Sequence, residues 1–235
     1  MTRTTYLQRR WPDSPRFQEI AGRWCQDQSR LLLDLVWRGY DRLWSEDLST
    51  VPFSDDHEAK EESLNHLLAV RIDQCKNGDE PFCVQHQPPE QTKRKPGRGK
   101  SPQPDIGFVL YDHPNTVWPL EGKVLLHEKD VEPYLNEIKS NFVTARYATF
   151  SSEGAMLGYL LRWNPNETFD SIEAGLAQTL RQHPHFNNRP HRISNHRRDD
   201  PPHGNSPTEF TCHHLLLRIH RADAGVARTV GGVSD

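Results

Sequence analysis

Three charged residues stand inside apolar stretches in the middle of the chain. Asp105 opens the run Asp105-Ile-Gly-Phe-Val-Leu-Tyr111, and Glu121 and Lys123 interrupt Thr116-Val-Trp-Pro-Leu-Glu-Gly-Lys-Val-Leu-Leu126. Charges in such surroundings are costly to bury unless something compensates them. Side chains on a strand alternate between faces, so Glu121 and Lys123 point the same way and Gly122 the other. A turn at Asp112-His-Pro-Asn115 suits a hairpin that would set Asp105 on the strand beside them. Two carboxylates meeting at one point are a site for a hard divalent cation such as magnesium, which takes oxygen ligands. A lysine beside them could balance the charge that builds up when a phosphodiester is attacked. The plain structural alternative is an ion pair between Glu121 and Lys123.

Pro104-Asp105, followed after fifteen residues by Glu121-Gly122-Lys123, resembles the signature of the PD-(D/E)XK, or restriction-endonuclease-like, nuclease superfamily. The resemblance covers about residues 56–163 and implies an αβββαβ core, a three-layer α/β fold with a mixed sheet flanked by helices. It also implies a magnesium or manganese ion held by Asp105, Glu121 and the Gly122 carbonyl, with Lys123 acting on the attacking water. A glutamate from the preceding helix takes part in many such enzymes. Glu61 is the first candidate for a catalytic and metal-binding role of that kind, and Glu62 the second. Glu58-Ala-Lys60 and Glu137-Ile-Lys139 also read Glu-x-Lys. Both lie in expected helices, where the two side chains do not point the same way.

A fainter likeness, to nucleases of bacterial anti-phage defence, rests on Ala145–Leu161, Ser194-Asn-His-Arg-Arg198 and His213-His214-Leu-Leu-Leu217. Together the resemblances imply a metal-dependent nuclease acting on DNA, or less readily RNA, in a prokaryotic defence system. The alternative is a nuclease-fold subunit that serves only in assembly or nucleic-acid binding. A partner protein of a defence complex and self-association both remain open. Arg146 and Tyr147 are candidates for phosphate or base contacts, with helix-end packing the plainer use of Tyr147.

Elements that would position this chemistry can be read from periodicity. Residues 16–48 carry Phe17, Ile20, Trp24, Leu31, Leu35, Val36, Leu43 and Trp44 at helical spacings, so we expect an N-terminal helical elaboration over residues 1–55. Ser54-Asp55-Asp56 signals the start of a second helix with Leu64, Leu67, Leu68 and Ile72 on one stripe and Glu61 in line with it. Strands are expected at 81–85, 105–111, 116–126, 155–163 and 212–220, and helices at 131–142 and 167–183. The domain that contains the site would run over 56–221, with a frayed tail at 222–235. The Pro- and cation-rich stretch 86–104 reads as a loop, and its Lys93, Arg94, Lys95, Arg98 and Lys100 are candidate phosphate contacts.

Composition narrows the setting. Apolar residues make up 34% of the chain and charged ones 26%, and no run approaches the roughly 18 apolar residues of a spanning helix. The first ten residues hold no apolar core of a secretory signal, so the expected location is the cytoplasm, with no membrane partner. Cys25, Cys75, Cys83 and Cys212 are scattered, which fits reduced structural thiols. A net charge of −3 means that nucleic-acid binding must come from local basic patches or from a partner. Among 13 histidines, many fall in a polar stretch at 184–209 that reads as loop. A zinc site from His183, His185, His191 and Cys212 has little support from spacing, and His214, in an apolar strand, reads as a hydrogen-bonded core residue.

Overall fold

The computed structural model describes residues 15–49, 56–89, 102–111, 117–127, 130–149, 151–161, 164–198 and 207–219. The basic loop cations and the C-terminal tail lie outside these residues, as does the turn expected at 112–115.

Helix α1 (Pro15–Arg42) runs on into a π turn at Leu43–Asp47 and is followed by α2 (His57–Gln74). Asp56 caps α2, its carboxylate accepting from the Ala59 N–H at 2.8 Å, which satisfies one of the free amides of the first turn. Strands β1 (Phe82–His86), β2 (Ile106–Leu110) and β3 (Val117–Leu125) form an antiparallel meander. Helix α3 (Val131–Glu137), extended by a π turn at Ile138–Phe142, crosses over to β4 (Glu153–Leu160), which pairs parallel with β3. Helix α4 (Pro165–Leu176), the short β5 (Arg181–Gln182), β6 (His191–Arg197) and β7 (Glu209–Arg218) follow. The seven strands make one mixed sheet in the order β1-β2-β3-β4-β7-β6-β5.

Alternation along the central strands builds two cores. Ala155, Leu157 and Tyr159 of β4 and Leu215 and Leu217 of β7 face Leu32, Leu35 and Val36 of α1 and Leu64, Leu68 and Ile72 of α2. Their neighbours Met156, Leu160, Cys212 and Leu216 face Val131, Tyr134 and Ile138 of the α3 segment and Phe169 and Ile172 of α4. Parallel strands buried on both faces, with a helix layer on each, make an α/β architecture. Helix α1 contributes to the same core as α2. Its Gly39 meets α2 so closely that an added Cβ would lie 2.6 Å from Ile72 Cγ1 and 2.9 Å from the Ile72 backbone nitrogen.

The second half departs from the sequence reading. The helix expected at 167–183 stops at Leu176, where Ala177 takes a left-handed conformation (φ 53°) and the Glu173 carboxylate accepts from the Leu180 N–H at 3.1 Å. The stretch read as loop at 184–209 contains β6, and the last strand begins at Glu209, not Cys212. Strand β6 shows no apolar alternation because its buried residues, His191 on one face and Ser194 on the other, are polar groups that are satisfied by partners inside the fold. His191, expected as a loop histidine, is fully buried. Arg198, just past β6, is also buried and donates to the carbonyls of Phe142 (2.9 Å), Ala148 (3.1 Å) and Ser151 (3.1 Å). It thereby closes the end of the π turn that leads into β4.

Candidate active site

Strand β3 is longer than the strand it pairs with. The β2 ladder ends at Ile106, opposite Leu120, while β3 continues to Leu125 against β4. Amides of β3 beyond Leu120 that face β2 therefore lack a backbone partner, and buried amides must find another. Side chains supply it. Gly122 N–H donates to Asp105 Oδ2 at 2.8 Å, and Val124 N–H donates to Glu61 Oε2 at 3.1 Å. A notch in the sheet is thus filled by two carboxylates from two different elements, the head of β2 and the first half of α2.

Glu121 and Lys123 stand on the overhang itself and share a face. Glu121 is 5% exposed, and its Oε2 accepts from the Asp105 N–H at 3.3 Å. Lys123 Nζ lies 2.8 Å from Glu61 Oε1, 3.6 Å from Glu121 Oε1 and 3.9 Å from Glu137 Oε1. The ion pair weighed as the structural alternative for Glu121 and Lys123 is therefore the looser one, and Glu61 is the closer partner.

Of the sequence-predicted site residues, Asp105, Glu121, Lys123 and Glu61 come together, and Gly122 sits among them. Glu62 is exposed and lies near His86, so Glu61 alone enters the site from α2. Lys93, Arg94, Lys95, Arg98 and Lys100 fall outside the described residues. Arg146 is exposed. Tyr147 packs edge-on against Phe142, and its hydroxyl donates to the Gln103 carbonyl at 3.0 Å, tying the α3–β4 connection to the segment ahead of Asp105.

Sequence reasoning missed Glu137. It ends α3 beside Lys123, and its carboxylate accepts from Asn141 Nδ2 of the π turn. Its only sequence signal was the Glu137-Ile-Lys139 pair, set aside because the two residues diverge on a helix. They do diverge: Glu137 enters the site and Lys139 is exposed. Asn65 was missed as well. It is buried on α2 under Gly122, accepts the Tyr159 hydroxyl at 2.7 Å, and its Nδ2 has no partner among the described residues.

No protein-family profile, curated protein or solved structure matches the chain.

The site's electrostatics follow from burial. Burial raises the Asp105 carboxyl from its ordinary value of 3.8 to about 6, against the help of the Gly122 N–H and Lys123, with Glu61 and Glu137 adding to the rise. Glu121 is pushed well upward, first by burial and then by Asp105. Burial opposes the charge on Lys123 too, but Glu121, Glu61 and Asp105 outweigh it and hold the ammonium above its usual range. Two desolvated carboxylates, with the charge of Asp105 adding to the rise of Glu121, form a site that a bound cation would relax. All its acidic donors are oxygens, the set a hard divalent ion takes.

Proposed function

We propose that the chain is a metal-dependent nuclease with a restriction-endonuclease-like core, in which Asp105 and Glu121 hold magnesium or manganese. The observation that carries this reading is the notch beyond Leu120. There the head of one strand, the overhang of the next and the helix before them deliver Asp105, Glu121, Lys123 and Glu61 to one point. The succession α2, β1, β2, β3, α3, β4, with β4 parallel to β3, supports the αβββαβ core that the Pro-Asp and Glu-x-Lys residues imply.

A bound divalent ion would polarise the phosphate and supply hydroxide near neutral pH. The protein's own residues do the rest. Gly122 N–H orients the Asp105 carboxylate, and Glu61 pins Lys123 so that its ammonium faces the carboxylate pair. The carboxylates of Glu121, Glu61 and Asp105 favour the charged form of Lys123, which suits a fixed positive charge and hydrogen-bond donor toward the phosphoryl oxygens. We place DNA ahead of RNA as substrate, and prokaryotic anti-phage defence as the setting, on the likeness of residues 145–161, 194–198 and 213–217.

The test is cleavage of plasmid DNA and of a folded RNA by the purified chain with magnesium or manganese, beside calorimetric titration of the same ions. Asp105→Ala and Glu121→Ala should lose both cutting and ion binding. Lys123→Ala should keep ion binding and lose turnover by about 10²–10³-fold, as expected when one charge-stabilising donor is removed. Ion binding without cleavage of either substrate would leave the fold reading and sink the enzymatic one. Normal cutting by Asp105→Ala or Glu121→Ala would sink the site.

A further inference from the structure

The histidines on the opposite side of the sheet form a second cluster that the proposed nuclease chemistry does not use. His191 of β6 and His213 of β7 face each other, with His191 Nε2 3.2 Å from His213 Nδ1. His183, directly after β5, stacks on His191 with ring centroids 4.5 Å apart. One ligand atom from each of the three lies within 4.8 Å of the other two, and all three residues are buried. We propose that His183, His191 and His213 bind one zinc ion, which pins β6 and the chain after β5 to β7.

Several observations converge on this reading. Zinc–imidazole bonds of about 2.0–2.1 Å in a tetrahedron put neighbouring nitrogens about 3.3 Å apart, and the His191–His213 pair already stands at 3.2 Å. The His183 ligand atom, within 4.8 Å of the other two, has to move closer to close the set. His213 Nε2 lies 3.3 Å from Glu153 Oε2, which leaves Nδ1 for the ion and gives the carboxylate–histidine arrangement that orients metal-bound imidazoles. Nitrogen donors suit zinc and its first-row neighbours, not magnesium, so this site and the carboxylate site select different ions. The zinc set weighed from sequence, with His185 and Cys212, is corrected on two members. Cys212 belongs to the opposite core, and His185 contributes its backbone N–H to His183 Nδ1 at 3.2 Å.

The competing explanation is a hydrogen-bonded relay without metal. In it the Trp37 indole N–H donates to His191 Nδ1 at 3.3 Å, His191 to His213, and His213 to Glu153. The two explanations differ at Trp37. A ring that ligates through Nε2 carries its proton on Nδ1, so Trp37 must release that nitrogen when the ion binds. Zinc therefore competes with the indole, whereas the relay needs it.

The experiment uses the full chain carrying Asp105→Asn and Glu121→Gln, so that the carboxylate site cannot bind the ion. After dialysis against chelator, titration should show one zinc per chain, and cobalt in its place should give the intense visible absorption of a four-coordinate site. His213→Gln and His183→Gln should each weaken binding at least a hundredfold and abolish the absorption. His183, outside the central strands, decides the matter if His213→Gln does not fold. Trp37→Phe should bind zinc about fivefold tighter, the equivalent of one ordinary hydrogen bond. No zinc bound in the carboxylate-free chain, cobalt absorption that survives His183→Gln, or weaker binding in Trp37→Phe would each overturn the proposal.

Discussion

At the scale of single residues, the Asp105 carboxyl stores a cost that pH can read. Its folded value of about 6 lies above the ordinary 3.8. Between those values the native chain binds more protons than the unfolded chain, so stability falls as pH rises through that window and stays lowered above it. The difference is worth on the order of 1–3 kcal/mol. Asp105→Asn keeps an oxygen to accept the Gly122 N–H and removes the charge. In chelator, that variant should be more stable than the parent at pH 7.5 and level with it near pH 4. Thermal unfolding of both chains across this range checks the prediction, and a constant difference at every pH would refute it. Asp105, Glu121, Lys123 and Glu61 were legible in the sequence because charges inside apolar strands, or in line with a helix's core stripe, need a reason. Glu137 was not, because its place depends on where α3 ends and its π turn begins, and no residue spacing announces that.

Among the elements, the contact between β3 and α2 is set by the absence of a side chain. A Cβ on Gly122 would run into Asn65 Oδ1 and come within 2.9 Å of Tyr159 Cε2, two groups already hydrogen-bonded to each other. Gly122→Ala must therefore push the strand carrying Glu121 and Lys123 away from the helix carrying Glu61. Overpacking of this kind costs about 1–3 kcal/mol, and the site loses its alignment with it. Adding Asn65→Ala should restore part of the loss. Urea unfolding of both single variants and the double variant measures the coupling, and simple additivity would show that the strand and helix do not meet there. The first half of the fold was legible because α1, α2 and β1–β4 bury hydrocarbon at regular periods. Strand β6 was hidden for the opposite reason: Ser194 and His191 take its core positions and are paid for by hydrogen bonds, Ser194 to His214 and His196 at 2.7 Å each. Hydrophobic periodicity cannot register a strand whose buried positions are polar.

For the molecule as a whole, those same histidines set its tolerance of acid. Burial lowers His214 to about 3 and His196 to about 4, and burial with its histidine neighbours holds His191 well below 6.5. Below pH 6.5 the unfolded chain takes up protons that the native chain refuses, so stability drains as pH falls from 6.5 toward those folded values. Each histidine contributes up to about 1.4 kcal/mol per pH unit in that range. With three of them, this loss exceeds the opposite trend from Asp105 and Glu121. Urea unfolding at pH 7 and pH 4.5 should therefore show a loss of several kcal/mol. Equal stability at the two values would mean that the cores accept charged imidazoles.

The overhang of β3 also bears on solubility. A strand with open amides invites another chain to add to it, which is how sheets aggregate from their edges. Here Gly122 and Val124 offer two such amides, and Asp105 and Glu61 occupy both. Two carboxylates of the proposed site, Asp105 and Glu61, thus also block an opening in the ladder with negative charge. Removing them together, as in Glu61→Ala with Asp105→Ala, should expose that opening and let copies of the chain associate in a concentration-dependent way by light scattering, while Glu61→Gln with Asp105→Asn should stay dispersed. A site of this design would be guarded by its own fold, because chains that lost both carboxylates would tend to leave solution.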